Sequence, residues 1–440
     1  PSWPKFLHPY PLSDKYILVA SQLRHNAPWR IYLVDVFDNM VPVLYDKDHD
    51  YFEPTPFCPS ESTPPAIPDR VDLAQDESSL YIHDIYAGPG LAGVPHGAVK
   101  SIRVAAYNYG LPGLAGPDKI GRAGPWEAIR ILGTAPVHED GSARFIIPAN
   151  TPITLQPLDA EGRALQLMRT WYTAMPGEAA SCVGCHEQPK EAPNTSGDIA
   201  IRMPVSTLTP WHGPARGFDF EREVQPVLDR YCVGCHDGTE STYVDGSPIP
   251  DLRGEEFAVD YVGLPLSNLG GPRLDESLPQ KYPELFHPYP EDDNPWLSTW
   301  RMQYTPAYDV LIQYIRRMNV EDVVGLLLPG EYHADTSELI QMLSKGHHGV
   351  ELDEEAWDRL YTWIDLNGPC HGTWGDICEP PLGASQRRWE LAELYEGPSV
   401  DPEVVPVSSY ATSEPIVPII PNPLPEPYLL TSRPALPEWP

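Results

Sequence analysis

The chain has 440 residues, long enough for two or three domains that each bury a core of their own. Its 62 acidic residues against 30 basic leave a net charge of −32, which repels nucleic acid and anionic membranes and excludes both as partners. Hydrophobic residues make up 41%, no apolar run approaches the roughly 18–20 residues that span a bilayer, and 54 prolines favour extended connections over long helices. The chain starts at Pro1 without an initiator Met, so an export signal, if one was present, is expected to have been removed.

Two strand-like runs, residues 16–20 and 31–36, open the chain, and the turn residues Asp38 and Asn39 follow the second. The cluster Asp46, Asp48, His49 and Asp50 reads as a solvated acidic loop in preference to a cation site. A proline-rich crossing then completes a first segment, residues 1–69. In the second, residues 70–200, short runs at 80–86, 99–107, 128–132, 143–147 and 164–171 alternate as half-buried strands do. Asp140-Gly141 is expected to turn a hairpin between residues 137 and 146, and residues 159–162 a second one. These features describe a β-sandwich-like domain whose last strand delivers the chain to Cys182.

After residue 200 the period becomes helical. Val224, Val227, Leu228 and Tyr231 lead into Cys232, with Pro226 either starting or kinking that helix. Thr305 is an N-cap before Pro306, and Tyr308, Leu311, Ile312 and Ile315 form one stripe. Asp353 caps the clearest helix, Leu352 can staple onto Trp357, and Trp357, Leu360, Tyr361 and Ile364 make its buried face until Gly368-Pro369 stops it. Residues 201–400 are therefore a mainly helical domain. Residues 401–440 are proline-rich and aperiodic, an extended arm that only docking can order, on its parent domain or on a neighbouring copy. The predicted class is α+β: a β-sandwich-like domain, a mainly helical domain and the extended arm.

The chemistry lies in the cysteines. Ser181-Cys182-Val183-Gly184-Cys185-His186 and Tyr231-Cys232-Val233-Gly234-Cys235-His236 each place two sulfurs two residues apart, ahead of a histidine. That spacing lets Cys182 with Cys185, and Cys232 with Cys235, take the two vinyl groups of one haem, while His186 or His236 points at the iron. Two covalently bound haem c groups are the expectation, with a zinc site or a pair of disulfides as the weaker alternatives, since neither requires a histidine after both pairs. Covalent haem attachment takes place outside the cytoplasm, so the protein is expected to be extracellular or periplasmic. Cys370 and Cys378 are close enough for a local disulfide, which suits that compartment, and Cys58 is left over.

What fills the sixth position of each iron separates electron transfer from chemistry. For the second haem, His348 or His347 stands just before the last helix, with His371 and His333 as runners-up. For the first, His25, His83, His96, His138 and His212 are scattered, and none stands out by spacing.

Residues 131–134, 139–142, 148–153, 156–159 and 175–178, together with the first haem motif, resemble the middle domain of the hydrazine synthase alpha subunit family. Residues 220–236, 345–348 and 363–367 resemble the C-terminal cytochrome c-type haem domain of the same family. The resemblance runs from about residue 10 to 404 and implies a β-rich domain and a cytochrome domain, each with one haem, in an exported protein. Two departures matter. Family members often carry a large N-terminal β-propeller, of which this chain starts at the last strands. In the namesake enzyme a tyrosine four residues after the first motif's histidine ligates the iron, while that histidine binds zinc. Lys190 stands at that position here, which favours ordinary ligation by His186.

The leading functional expectation is electron transfer by a secreted di-haem cytochrome, to a redox partner protein or to neighbouring copies of itself. A homo-polymer gripped through the C-terminal arm is compatible with it. The alternative is a redox enzyme or enzyme subunit with one open haem. No Ser-His-Asp arrangement, Walker loop or dinucleotide fingerprint is visible.

Overall fold

A computed structural model describes residues 3–57, 70–109, 119–186, 198–239, 249–254, 259–262, 301–319, 325–377, 384–395, 400–406 and 417–419. The chain divides into two compact units, residues 1–68 and 69–440. The first is a four-stranded antiparallel meander of β1 (Lys5–Pro11), β2 (Tyr16–Gln22), β3 (Arg30–Asp35) and β4 (Met40–Leu44), paired in that order. The acidic loop after it is exposed and spends its carboxylates locally. Asp46 accepts from Asp48 N and pairs with His49, while Asp50 accepts from Trp29 N.

The second unit begins with β5 (Glu77–Ile82), β6 (Ser101–Asn108), β7 (Ala128–Pro136), β8 (Ala143–Pro148), β9 (Ile153–Leu158) and β10 (Ala179–Cys182). After α1 (Ile199–Arg202) come the short β11 (Arg216–Gly217), α2 (Phe220–Glu223) and α3 (Gln225–Tyr231). Then follow β12 (Val259–Val262), β13 (Arg301–Tyr304), α4 (Pro306–Leu311), α5 (Glu338–Ser344), α6 (Glu354–Asp365) and α7 (Ala384–Tyr395). The strands make a three-stranded sheet, β10-β5-β8, a four-stranded sheet, β11-β7-β6-β9, and the two-stranded pair β12-β13.

The four-stranded sheet is a middle layer. Ile102, Val104 and Ala106 of β6 point to a core shared with Leu80 and Ile82 of β5 and Phe145 and Ile147 of β8. Ala105 of β6 and Ile129 and Ile131 of β7 face the other way, into a core with Val227 and Leu228 of α3 and Leu360 and Trp363 of α6. That double burial explains why β6 reads as an almost continuous apolar run. The same layering explains a buried charge: Arg103 lies on the helix side of β6 and holds Asp365 of α6 at 2.9 Å.

Several local signals match the elements that formed. Thr305 and Asp353 each accept a hydrogen bond at the start of their helix, and Pro226 begins α3 after a break at Val224. Others are corrected. The Asp140-Gly141 turn forms, yet its flanking strands do not pair: β7 bonds β6 and β8 bonds β5, so the turn carries the chain from one sheet to the other. The strand expected at 164–171 is an irregular return, touching its neighbour at single bridges 158–164 and 153–172, and the true strand is β9. The expected Cys370–Cys378 disulfide is not made. Cys370 is a free, buried thiol anchored by its N–H to Ile120 O, and Cys378 lies outside the described residues, as do Cys58 and Lys190.

The described parts of the arm lie against their own chain. Glu403 accepts from Asn108 Nδ2 and Gly375 N, and Ile419 N donates to Arg230 O at 2.7 Å. Among the described residues no helix is long and apolar enough to cross a membrane.

Candidate functional site

The first cysteine motif is held by backbone bonds, not by a helix. β10 runs parallel to β5 with Cys182 opposite Ile82. His83 N then donates to Cys182 O, Asp84 N to Val183 O, Cys185 N to Ile85 O, and Gly90 N to Cys185 O at 3.1 Å. Two glycines permit this approach. A Cβ on Gly184 would lie 2.3 Å from Ala87 O, and one on Gly90 would lie 2.6 Å from both Cys185 O and Cys185 Sγ. Gly90→Ala is therefore expected to cost about 1–3 kcal/mol, the usual range for overpacking. A thermal melt checks it, and an unchanged Tm would mean that the 185–186 turn does not press on Gly90.

Beside this turn lies a cavity of about 700 Å³, within the range of roughly 300–1,000 Å³ typical of cofactor sites. Cys182, Cys185 and His186 border it, and Leu80, Ile82 and Ile102 supply apolar wall. Gln166 closes one side by donating to Gly90 O at 2.7 Å and Leu327 O at 2.9 Å. Burial pushes the Cys185 thiol up to about 11 and the Tyr172 hydroxyl up to about 12, so both stay protonated at neutral pH. The residues fit a haem bound through two thioethers: adjacent thiols, a bordering histidine and a greasy slot of sufficient volume.

None of the histidines considered as a sixth ligand at the first motif lines the cavity. His83 holds Asp198 at 2.9 Å, His96 stacks near Tyr86, His138 sits in the turn after β7, and His212 holds Asp358 at 2.7 Å. His25 belongs to the first unit. Apart from the motif, the polar or sulfur-bearing groups that do line it are Gln166, Met168, Arg169, Thr170, Trp171 and Tyr172. They come from the irregular return after β9, a segment whose sequence carries no ligand signature.

The second motif follows α3 directly. Cys232 caps the helix, its N–H bonding Leu228 O at 2.7 Å, and Cys235 N and His236 N both donate to Cys232 O at 3.0 Å. This tight turn carries His236 back across the helix end, where its Nδ1 meets Pro250 O at 2.8 Å. A carbonyl can only accept, so Nδ1 carries the proton and Nε2 keeps its lone pair, the tautomer that metal-bound imidazoles show. Burial pushes the Cys232 thiol up to about 12 and also lowers the basicity of His236.

His347 faces His236. Gly346, at φ +87°, ends the turn after α5 and allows the chain to present the two imidazoles with ring centres 6.1 Å apart and planes 29° from parallel. His236 and His347 would be the residues to hold a haem iron at this motif. Burial, with His348 and His236 alongside, pushes His347 down to about 4, which leaves it neutral. His348 stands edge-on to His347 at 4.6 Å. His371 stacks on Tyr304, and His333 is buried against Asp159 at 3.2 Å while its ring also accepts from Asp335 N.

The two motifs do not converge. Cys182 and Cys185 pack on the sheet-to-sheet core and Cys232 on the helical core, and no group of three or more metal-binding side chains occurs among the described residues. A four-cysteine zinc site is incompatible with that separation.

Residues 97–187 match the family model described as the hydrazine synthase alpha subunit middle domain, a span that runs from before β6 to just past His186. No curated protein matches the chain. Among solved structures, Kuenenia stuttgartiensis hydrazine synthase aligns over 84% of this chain and 56% of its own, at 16% identity and a TM-score of 0.38. The chain thus spans little more than half the length of that relative.

Proposed function

We propose that this chain, whose residues 97–187 belong to the hydrazine synthase alpha middle-domain family, is an exported di-haem c-type cytochrome that transfers electrons. The observation that carries this reading is the second motif: a histidine after Cys-x-x-Cys, tautomer-locked by Pro250 O, with a neutral imidazole 6.1 Å away. Bound there, haem would supply a one-electron redox centre. Cys232 and Cys235 would hold its edge, and His236 and His347 would cap its two faces. Cys182, Cys185 and His186 would hold the other group against the sheet-to-sheet core. The location outside the cytoplasm rests on the haem motifs alone, now that Cys370 makes no disulfide.

A second reading, a redox enzyme subunit with an open haem, is favoured by the lining of the first cavity, which among the described residues includes no histidine besides His186. The described arm segments contact their own chain, and nothing in them supports a polymer.

The test is the visible spectrum of the purified protein, oxidised and reduced, followed by carbon monoxide on the reduced form. Electron transfer predicts low-spin bands at both haems and no response. About half the haem high-spin and shifting with carbon monoxide would instead make the first site reactive. In the same preparation, Cys182→Ser with Cys185→Ser should lower the covalently bound haem from two to one per chain, read by intact mass. A mass with no haem in either protein would sink both readings.

A further inference from the structure

We infer that Met168 supplies the sixth ligand of the haem iron at the first motif, opposite the His186 imidazole. The inference rests on the reading that Cys182 and Cys185 carry a haem, and goes beyond it by naming the group that closes the iron.

The walls of the cavity come from two sheets. β10 is an edge of the three-stranded sheet, and β9 is an edge of the four-stranded one. Cys182, Cys185 and His186 border the cavity where β10 ends, while Leu155 and Pro157 of β9 and the return after it supply another wall. That return is irregular but pinned. Leu165 N donates to Pro157 O at 2.8 Å, Thr154 Oγ1 to Met168 O at 2.7 Å, and Tyr172 N to Ile153 O at 2.9 Å. Thr154 is itself buried in β9. The backbone of Met168 is therefore anchored to the sheet while the residue lines the cavity.

Proteins hold haem iron through imidazole, thioether, thiolate or phenolate. Among the described residues lining this cavity, such groups belong to His186, Met168, Cys182, Cys185 and Tyr172. His186 is the motif's own ligand, and the two cysteine sulfurs are consumed in bonds to the porphyrin. Burial pushes the Tyr172 hydroxyl up to about 12, so it offers a neutral phenol in place of a phenolate. Gln166 spends its amide on Gly90 O, Leu327 O and Leu167 N, and Arg169 is a cation that donates to Gly325 O. The Met168 thioether carries no charge, has no proton to lose and sits on an unbranched, adaptable side chain. A histidine–methionine pair raises the potential of a haem, so the first haem is the more oxidising of the two, the second being held by His236 and His347.

The test uses the full-length, haem-loaded protein. The ferric wild type should show the near-infrared charge-transfer band of a methionine-ligated haem, and its redox titration should resolve two waves. Met168→Ala should lose the band and open about half of the total haem to carbon monoxide. Met168→His should lose the band yet stay low-spin and closed, with the higher-potential wave shifted down. No band in the wild type, or a band retained in Met168→Ala, overturns the inference. If Met168→Ala fails to fold or to take up haem, Met168→His decides, a surviving band being the negative outcome. Intact mass separates the two failures: fewer than two haems per wild-type chain removes the reading this rests on, whereas two haems without the band remove Met168 alone.

Discussion

Replacing Arg103 by Met is expected to lower the unfolding free energy by roughly 3–5 kcal/mol, the range for breaking one side of a buried ion pair. Arg103 and Asp365 are essentially inaccessible to water, 1% and 0% exposed. Arg103 Nη1 donates to Gln156 Oε1 at 2.8 Å and to Asp365 at 2.9 Å, and Nη2 donates to Gly162 O at 3.0 Å and Thr362 Oγ1 at 2.8 Å. Asp365 also accepts from Ala164 N at 3.0 Å. One side chain therefore ties the middle sheet, the turn after β9 and helix α6 together. Its loss leaves Asp365 buried with its main countercharge gone. The double variant Arg103→Met with Asp365→Leu should recover part of the loss, because an apolar pair of similar volume avoids desolvating two charges. Denaturant titrations of wild type, both singles and the double close the cycle. A single-variant loss below about 1 kcal/mol would place the pair in the class of surface bridges and contradict its burial.

The second large effect concerns the choice between adjacent histidines. His347→Ala is expected to convert the second haem to a form that binds carbon monoxide, while His348→Ala leaves its low-spin spectrum intact. The carbon monoxide-reactive fraction should rise to about half the total haem in the first variant and stay near zero in the second, if the first haem is closed. His347 carries this expectation because its ring lies 6.1 Å from that of His236, whereas His348 stands edge-on to His347 and is itself in the left-handed region, φ +48°. The opposite pattern would assign His348 as the ligand, and no response in either variant would remove the loop from the coordination sphere. The readout is spectroscopic, so general destabilisation alone would not produce it.

Much of the local structure was legible because it rests on local physics. Asp353, Thr305 and Pro226 mark helix starts through their own side chains, and each does so in the fold. Val183-Gly184 and Val233-Gly234 sit between motif cysteines, and in the first motif the glycine is needed because Ala87 O lies where a Cβ would be. The pairing of strands was less legible. Asp140-Gly141 carries the chemistry of a hairpin turn, yet β7 and β8 belong to different sheets, since turn chemistry is local and strand partners are not. Residues 164–171 have strand-like composition but run beside the outer edge of β9 and touch it only at the bridges 158–164 and 153–172, while β9 pairs with β6.

The sequence by itself determined the two Cys-x-x-Cys-His motifs, the helix starts, the acidic balance and the α+β class, all of them properties of neighbouring residues or of composition. The tertiary structure alone decided that the middle sheet is covered on both faces, and that Arg103 finds Asp365 across 262 positions. It alone separated His347 from His348, and lined the first cavity with Gln166, Met168 and Tyr172 in place of any histidine predicted as its sixth ligand. Those contacts join residues far apart in the chain, and their energies depend on burial, which exists only once the layers have packed.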